Sequence, residues 1–239
     1  MNRLLLAALA FAALVEPAAA TNPGTGPTAR VRVIHDYSTA GVADPALVDV
    51  RLGTAANPID NPVAATLAYG NITPFLTVPK GGYTVGVYAA GTTAALVEGP
   101  LIFARSTLTT VLARQVAVGN DTFTIDAIND SGRRKNSFDA SVRVIHGIPA
   151  AAADGVRVGA AGAGCLTPPL YFPATTVLSV PRGTYTVGVY PPDDADCGGD
   201  PIPGLSATVE LKALRGYTAI ARVKPGEAAA FELGLAVDY

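Results

Sequence analysis

The chain has no tryptophan, two histidines and two cysteines, and it is poor in lysine, glutamate and glutamine. Each shortage closes off a class of function. Without tryptophan, a carbohydrate site would have to stack sugars on tyrosine or phenylalanine. With histidine only at positions 35 and 146, a Ser-His-Asp triad has two places to form. Ser38 lies three residues past His35 in a loop-like stretch, has no counterpart after His146, and sits in no nucleophile-elbow context. G-x-S-x-G, H-E-x-x-H and P-loop motifs are all missing. The cysteines form no C-x-x-C and have no histidine close in sequence, which argues against a redox or metal thiol pair. Residues 28–130 carry six basic against eight acidic side chains, and residues 140–239 carry seven against nine. Neither half has the basic footprint of a nucleic-acid binder, and there is no basic amphipathic helix for a membrane surface. The expectation is a protein that is not an enzyme and holds no cofactor.

One long apolar run is present. Arg3 is followed by an unbroken apolar stretch from Leu4 to Val15 and by Ala18-Ala19-Ala20, which read together as a secretory signal peptide over 1–20. The run is short for a membrane anchor, and no later segment reaches transmembrane length. The mature chain is therefore expected to be exported, to the periplasm or beyond the cell. Residues 21–28 (TNPGTGPT) read as a flexible leader. In an exported protein, Cys165 and Cys197 most simply form one disulfide stapling two loops.

The chain repeats itself. VRVIH at 31–35 returns at 142–146, and VRLG at 50–53 returns as VRVG at 156–159. YGNITPFLTVPKGGYTVGVY at 69–88 matches YFPATTVLSVPRGTYTVGVY at 171–190. TVLAR at 110–114 matches TAIAR at 218–222, and FTIDAIND at 123–130 matches FELGLAVD at 231–238. The order is kept, so the mature chain is an internal duplication: repeat one over 29–130, a linker over 131–139, and repeat two over 140–239. Arg133-Arg134-Lys135 is the linker's charge run and reads as solvated, with protease processing or docking as the alternative.

Within each repeat the periodicity is two. Val31, Val33 and His35 share one face, and Arg32 and Ile34 share the other. Pro79-Lys80-Gly81 and Pro181-Arg182-Gly183 are turn signals that predict hairpins into YTVGVY. Gly86 and Gly188 fall mid-strand, which predicts a bulge or the close approach of another backbone or ring. Three tyrosine pairs recur in register (69 with 171, 83 with 185, 88 with 190) and are expected to pack in or on the sheets. About seven strands per copy predict an all-β fold of two tandem Ig-like antiparallel β-sandwich domains. The alternating terminal segment FELGLAVDY also suits an outer-membrane barrel strand, but its partner at Phe123 lies far from the end, which favours the sandwiches.

VRVIH, DPALVDVRLG (44–53) and YGNITPFLTVPKGGYTVGVY together resemble the bacterial exported family known as domain of unknown function 4397. The second copy keeps the His146 strand, Tyr171 and the Pro181 turn, but its loop lacks the carboxylate that Asp44 supplies, and Asp154 stands only loosely against Asp49. The resemblance implies an exported Ig-like sandwich, often in tandem. It implies no activity, because none is assigned to the family.

Two uses are open for the strand-end histidines. Each can bond a loop backbone and fix the strand's exit. Alternatively, His35 with Asp36, Asp44 or Asp49, and less completely His146 with Asp154, can hold a divalent ion or small ligand. PPDDADCGGD (191–200) offers four more carboxylates, but its spacing is not that of a calcium loop, so a solvated tip tied by the disulfide is expected. The function expected is binding or surface structure, through loops at the sandwich ends, toward an unknown protein or surface polymer. The metal or ligand site is the alternative, and an uncharacterised enzyme is third.

Overall fold

The computed structural model describes residues 27–36, 47–54, 62–116, 122–131, 138–148, 155–224 and 227–238. The expected signal peptide, most of the leader, Ser38, Asp44, Asp154 and the Arg133-Arg134-Lys135 run lie outside them. Sixteen strands are present among the described residues. The first eight are β1 (Thr28–Asp36), β2 (Val48–Gly53), β3 (Pro62–Leu67), β4 (Leu76–Pro79), β5 (Gly81–Ala89), β6 (Ala95–Phe103), β7 (Leu108–Gln115) and β8 (Phe123–Asn129). The second eight are β9 (Asp139–His146), β10 (Arg157–Ala160), β11 (Gly164–Cys165), β12 (Thr175–Pro181), β13 (Gly183–Tyr190), β14 (Ser206–Leu211), β15 (Gly216–Lys224) and β16 (Glu227–Val237).

The strands build four sheets in two matching pairs. The orders are β4-β1-β7-β8 with β3-β2-β5-β6, then β12-β9-β15-β16 with β11-β10-β13-β14. The two halves thus repeat one topology, as the duplicated sequence requires, and each is an all-β sandwich. Each copy has eight strands where about seven are expected. Pairing is antiparallel except that β1 runs parallel to β7, and β9 parallel to β15. A parallel neighbour needs a long crossover, and the five intervening strands of each copy supply it.

The expected hairpins at Pro79 and Pro181 are not formed. β4 pairs with β1, whereas both sides of β5 are taken by β2 and β6. The chain therefore crosses from one sheet to the other at Pro79-Lys80-Gly81, where Gly81 has φ +154°. The second copy does the same, with β12 on β9 and β13 between β10 and β14. A tyrosine fastens each crossing: Tyr83 Oη donates to Pro79 O at 2.8 Å and Tyr185 Oη to Pro181 O at 2.9 Å. This explains one recurring tyrosine pair. Tyr88 and Tyr190 explain another, because each ring folds back over the glycine two residues before it. A Cβ on Gly86 would lie 2.7 Å from the Tyr88 ring, and one on Gly188 3.0 Å from that of Tyr190. The close approach expected at both glycines is present.

The valine face of β1 builds the first core. Val31 and Val33 pack with Val48, Val50, Val85, Val87, Phe103 and Val111. In the second sandwich Leu211 pairs opposite Gly183 as Phe103 does opposite Gly81, and Ala219 stands where the first has Val111. With less side-chain volume there, the second core divides into two clusters and leaves an apolar cavity of about 40 Å³ lined by Val209, Leu211, Ala219 and their neighbours.

The other face of β1 is buried too. Ile34 and Leu112 of the first sandwich form one cluster with Ile145 and Ile220 of the second. The sheets carrying the two VRVIH strands therefore stand back to back. Strand alternation separates two faces but does not say whether the outer one meets water or another sheet. Here it meets another sheet.

Candidate functional site

The two copies bring arginine, threonine and aspartate side chains together at the junction of the sandwiches. Arg32 is 2 % exposed, so its guanidinium must find partners or cost several kcal/mol. Its Nε donates to Thr110 Oγ1 at 2.8 Å and its Nη2 to Thr218 Oγ1 at 2.8 Å. Its Nη1 is ion-paired with Asp238 of the second sandwich. Asp238 also accepts from Thr218 Oγ1 at 2.9 Å. Arg143, the counterpart of Arg32, makes the reciprocal arrangement. Its Nη1 is paired with Asp130 of the first sandwich and its Nη2 donates to Asn129 O at 2.9 Å. Thr110 Oγ1 donates to Asp130 in turn. Both arginines, both threonines and both aspartates are buried. The signal for this ladder was in the sequence: each residue type recurs in register in both copies, an arginine inside an apolar strand above all.

At the other end of these strands a second reciprocal contact forms. Arg222 Nη1 donates to Gly70 O at 2.6 Å and its guanidinium faces the Tyr69 ring at 5.7 Å. Tyr69 Oη donates to Val223 O at 2.5 Å. Arg114, the counterpart of Arg222, lies 5.2 Å over the Phe172 ring. Each arginine also holds an acid on its neighbouring strand: Arg222 with Glu232 at 2.6 Å, Arg114 with Asp126 at 2.5 Å. The third tyrosine pair is split by this junction. Tyr69 is buried between the sandwiches, while Tyr171 is 54 % exposed.

The histidines sit inside their own sandwiches. His35 Nδ1 lies 3.0 Å from Leu67 O, so it carries the proton and donates. Its ring stands edge-on to Tyr69 at 6.0 Å. His146 Nδ1 instead accepts from Ile148 N–H at 3.4 Å, and its ring stands edge-on to Phe172 at 6.1 Å. Both are fully buried, and burial pulls the pKa of each down to about 4, so both are neutral at pH 7. Neither Nε2 has a hydrogen-bond partner among the described residues.

The candidate carboxylates are dispersed. Asp36 alternates with His35 and so points from the opposite face of β1. It is buried at the junction, and that burial raises its pKa well above the usual range, against the pull of Arg222 and Arg114. Asp49 accepts from Thr66 N at 2.9 Å and Gly91 N at 3.1 Å, and pairs with Arg51 at 3.4 Å, tying β2 to β3 and to the turn after β5. Burial would raise its pKa, but these bonds hold it below the usual value. Asp44 lies outside the described residues. No group of three or more His, Cys, Asp or Glu able to hold a metal is formed among the described residues. In the acidic loop, Asp194 accepts from the Gly198 and Gly199 N–H groups at 3.2 and 3.1 Å. Cys165 and Cys197 are disulfide-bonded, as expected. No helix among the described residues is long and apolar enough to cross a membrane.

No curated protein matches the chain. The solved structures that match it include two of low similarity. The Bacillus anthracis TIE protein is 11% identical, with a TM-score of 0.25, over 82% of this chain and 34% of its own, so the chain spans about a third of that protein. A "putative cell adhesion protein" from Bacteroides eggerthii DSM 20697 is 9% identical, with a TM-score of 0.22, over 89% of this chain and 96% of its own. Scores this low carry no argument about fold or function. The family match is of another kind, since it covers more than half of the chain, from β1 through β9 and into β10. The chain belongs to the family described as domain of unknown function (DUF4397), whose sequence pattern matches residues 29–158.

Proposed function

We propose that the mature chain is exported and works without catalysis, as a binding or surface-structural tandem of two copies of the family's sandwich. The observation that carries this is the use made of VRVIH. Its arginines join the sandwiches and its histidines lie in the sandwich interiors, so the motif's polar groups are turned inward. Contact with a partner then falls to the loops at the sandwich ends, the usual place for recognition on this architecture. The matching strand order of β9–β16 supports a second family copy. Export rests on the sequence of residues 1–20. The partner class is a protein or a surface polymer.

A second reading, a divalent-metal or small-ligand site at His35 or His146, is favoured by the unpartnered Nε2 atoms. Thermal unfolding with and without a panel of divalent metals separates the two. A metal at ~100 times its dissociation constant adds about 2.7 kcal/mol to the folded state. If no metal moves the midpoint, and His35→Ala and His146→Ala simply melt lower, the proposal stands. A metal-induced rise abolished by His35→Ala replaces it with the second reading.

A further inference from the structure

Equivalent residues of the two copies face one another across the junction. Arg32 meets Thr218 and Asp238, Arg143 meets Asp130, and Ile34, Leu112, Ile145 and Ile220 share one cluster. That is the pattern of a two-fold dimer interface built into one chain. Near such an axis, equivalent positions compete for the same space.

The residue after each VRVIH shows the competition. It is Asp36 in the first copy and Gly147 in the second. A Cβ built on Gly147 would overlap Asp36 Oδ2 and lie 3.1 Å from its Cγ and 3.0 Å from Ala221 O. The Asp36 carboxyl thus fills the volume that a side chain at 147 would take. Asp36 is 4 % exposed, and neither oxygen has a hydrogen-bond partner among the described residues. Arg114, Arg222 and Glu232 are the charged groups that act on it. Aspartate at both positions would put two carboxyl groups in one buried space, and glycine at both would leave that space empty.

We propose that Asp36 and Gly147 form a key and its slot, which make the VRVIH face of the first sandwich fit the second sandwich and reject another copy of the first. The face is a recognition surface whose partner is the unlike copy. Because the two positions are equivalent by the approximate two-fold, the key works from either side, and the residues can be exchanged.

The test uses the whole mature chain and three variants: Gly147→Asp, Asp36→Gly, and the two combined. Thermal unfolding and size-exclusion chromatography are the readouts. Gly147→Asp is expected to lower the midpoint by about 10 °C or more, or to prevent folding. Asp36→Gly is expected to melt within about 5 °C of the parent, since it removes an unpartnered buried carboxyl along with its volume. The exchanged double variant is expected to regain a parent-like midpoint, within about 5 °C, and to elute as the parent does. The proposal is overturned if Gly147→Asp melts like the parent, because the space is then not shared. It is equally overturned if the exchanged variant stays as unstable as Gly147→Asp, or if Asp36→Gly alone does not fold.

Discussion

Arg32 is ion-paired with Asp238 across 206 positions of chain, and both side chains are buried where the two sandwiches meet. An ion pair in such a place is favourable over its broken form rather than over an apolar replacement. Arg32→Met leaves the Asp238 carboxylate buried with its main partner gone. The expected loss is about 3–5 kcal/mol in urea denaturation, and Arg32→Met combined with Asp238→Leu recovers most of it. A single-variant loss below about 1 kcal/mol would show that water reaches the pair.

The histidines set the acid limb of stability. Burial holds both near a pKa of about 4 when folded, and both return toward 6.5 when unfolded. Between these values the unfolded chain binds more protons. Stability is therefore full above about pH 6.5 and falls as the pH drops toward 4, by on the order of 3 kcal/mol per histidine. Urea midpoints measured from pH 7.5 to 4.5 check the slope. A chain with both histidines changed to glutamine is expected to lose most of it between pH 6.5 and 5, and an unchanged slope would refute the assignment.

Asp36 acts with the opposite sign. Its folded pKa is raised, so its contribution is full below the unfolded value near 3.8 and is lost as the pH rises through the folded value. Asp36→Asn keeps the shape and removes the charge. It is expected to be more stable than the parent at pH 8, with the gap closing in acid. Destabilisation at pH 8 would reveal a partner for the charged form.

The disulfide between Cys165 and Cys197 closes a separation of 32 residues. By chain entropy, replacing both cysteines with serine should cost about 3–4 kcal/mol. If the junction couples the sandwiches, that loss lowers the midpoint of the whole chain. Chemical denaturation followed by two probes, one in each sandwich, reads this directly, and separated transitions would contradict it.

Much of this fold was legible in the sequence. Period two, the duplicated segments and the paired cysteines led to two sandwiches and one disulfide, and mid-strand Gly86 and Gly188 pointed to a bulge or a close approach, which the Tyr88 and Tyr190 rings supply. The partner of β4 was not legible, because a Pro-Lys-Gly turn suits both a hairpin and a change of sheet, and competition for the free side of β1 decides which forms. The junction was half legible. Arg32 and Asp130 recur as Arg143 and Asp238, yet alternation alone puts such residues on an outer face and cannot say what covers it. Nor do the matched places of Tyr69 and Tyr171 in the repeat reveal that the first is buried against Arg222 and Val223 of the other copy while the second is exposed.

If VRVIH joins the two sandwiches into one cooperative unit, differential scanning calorimetry of the mature chain will register it. One transition is expected, with van't Hoff and calorimetric enthalpies that agree for the full chain, because neither sandwich can unfold without exposing the partners of Arg32 and Arg143. Two transitions, each with the enthalpy of a single sandwich, would contradict it.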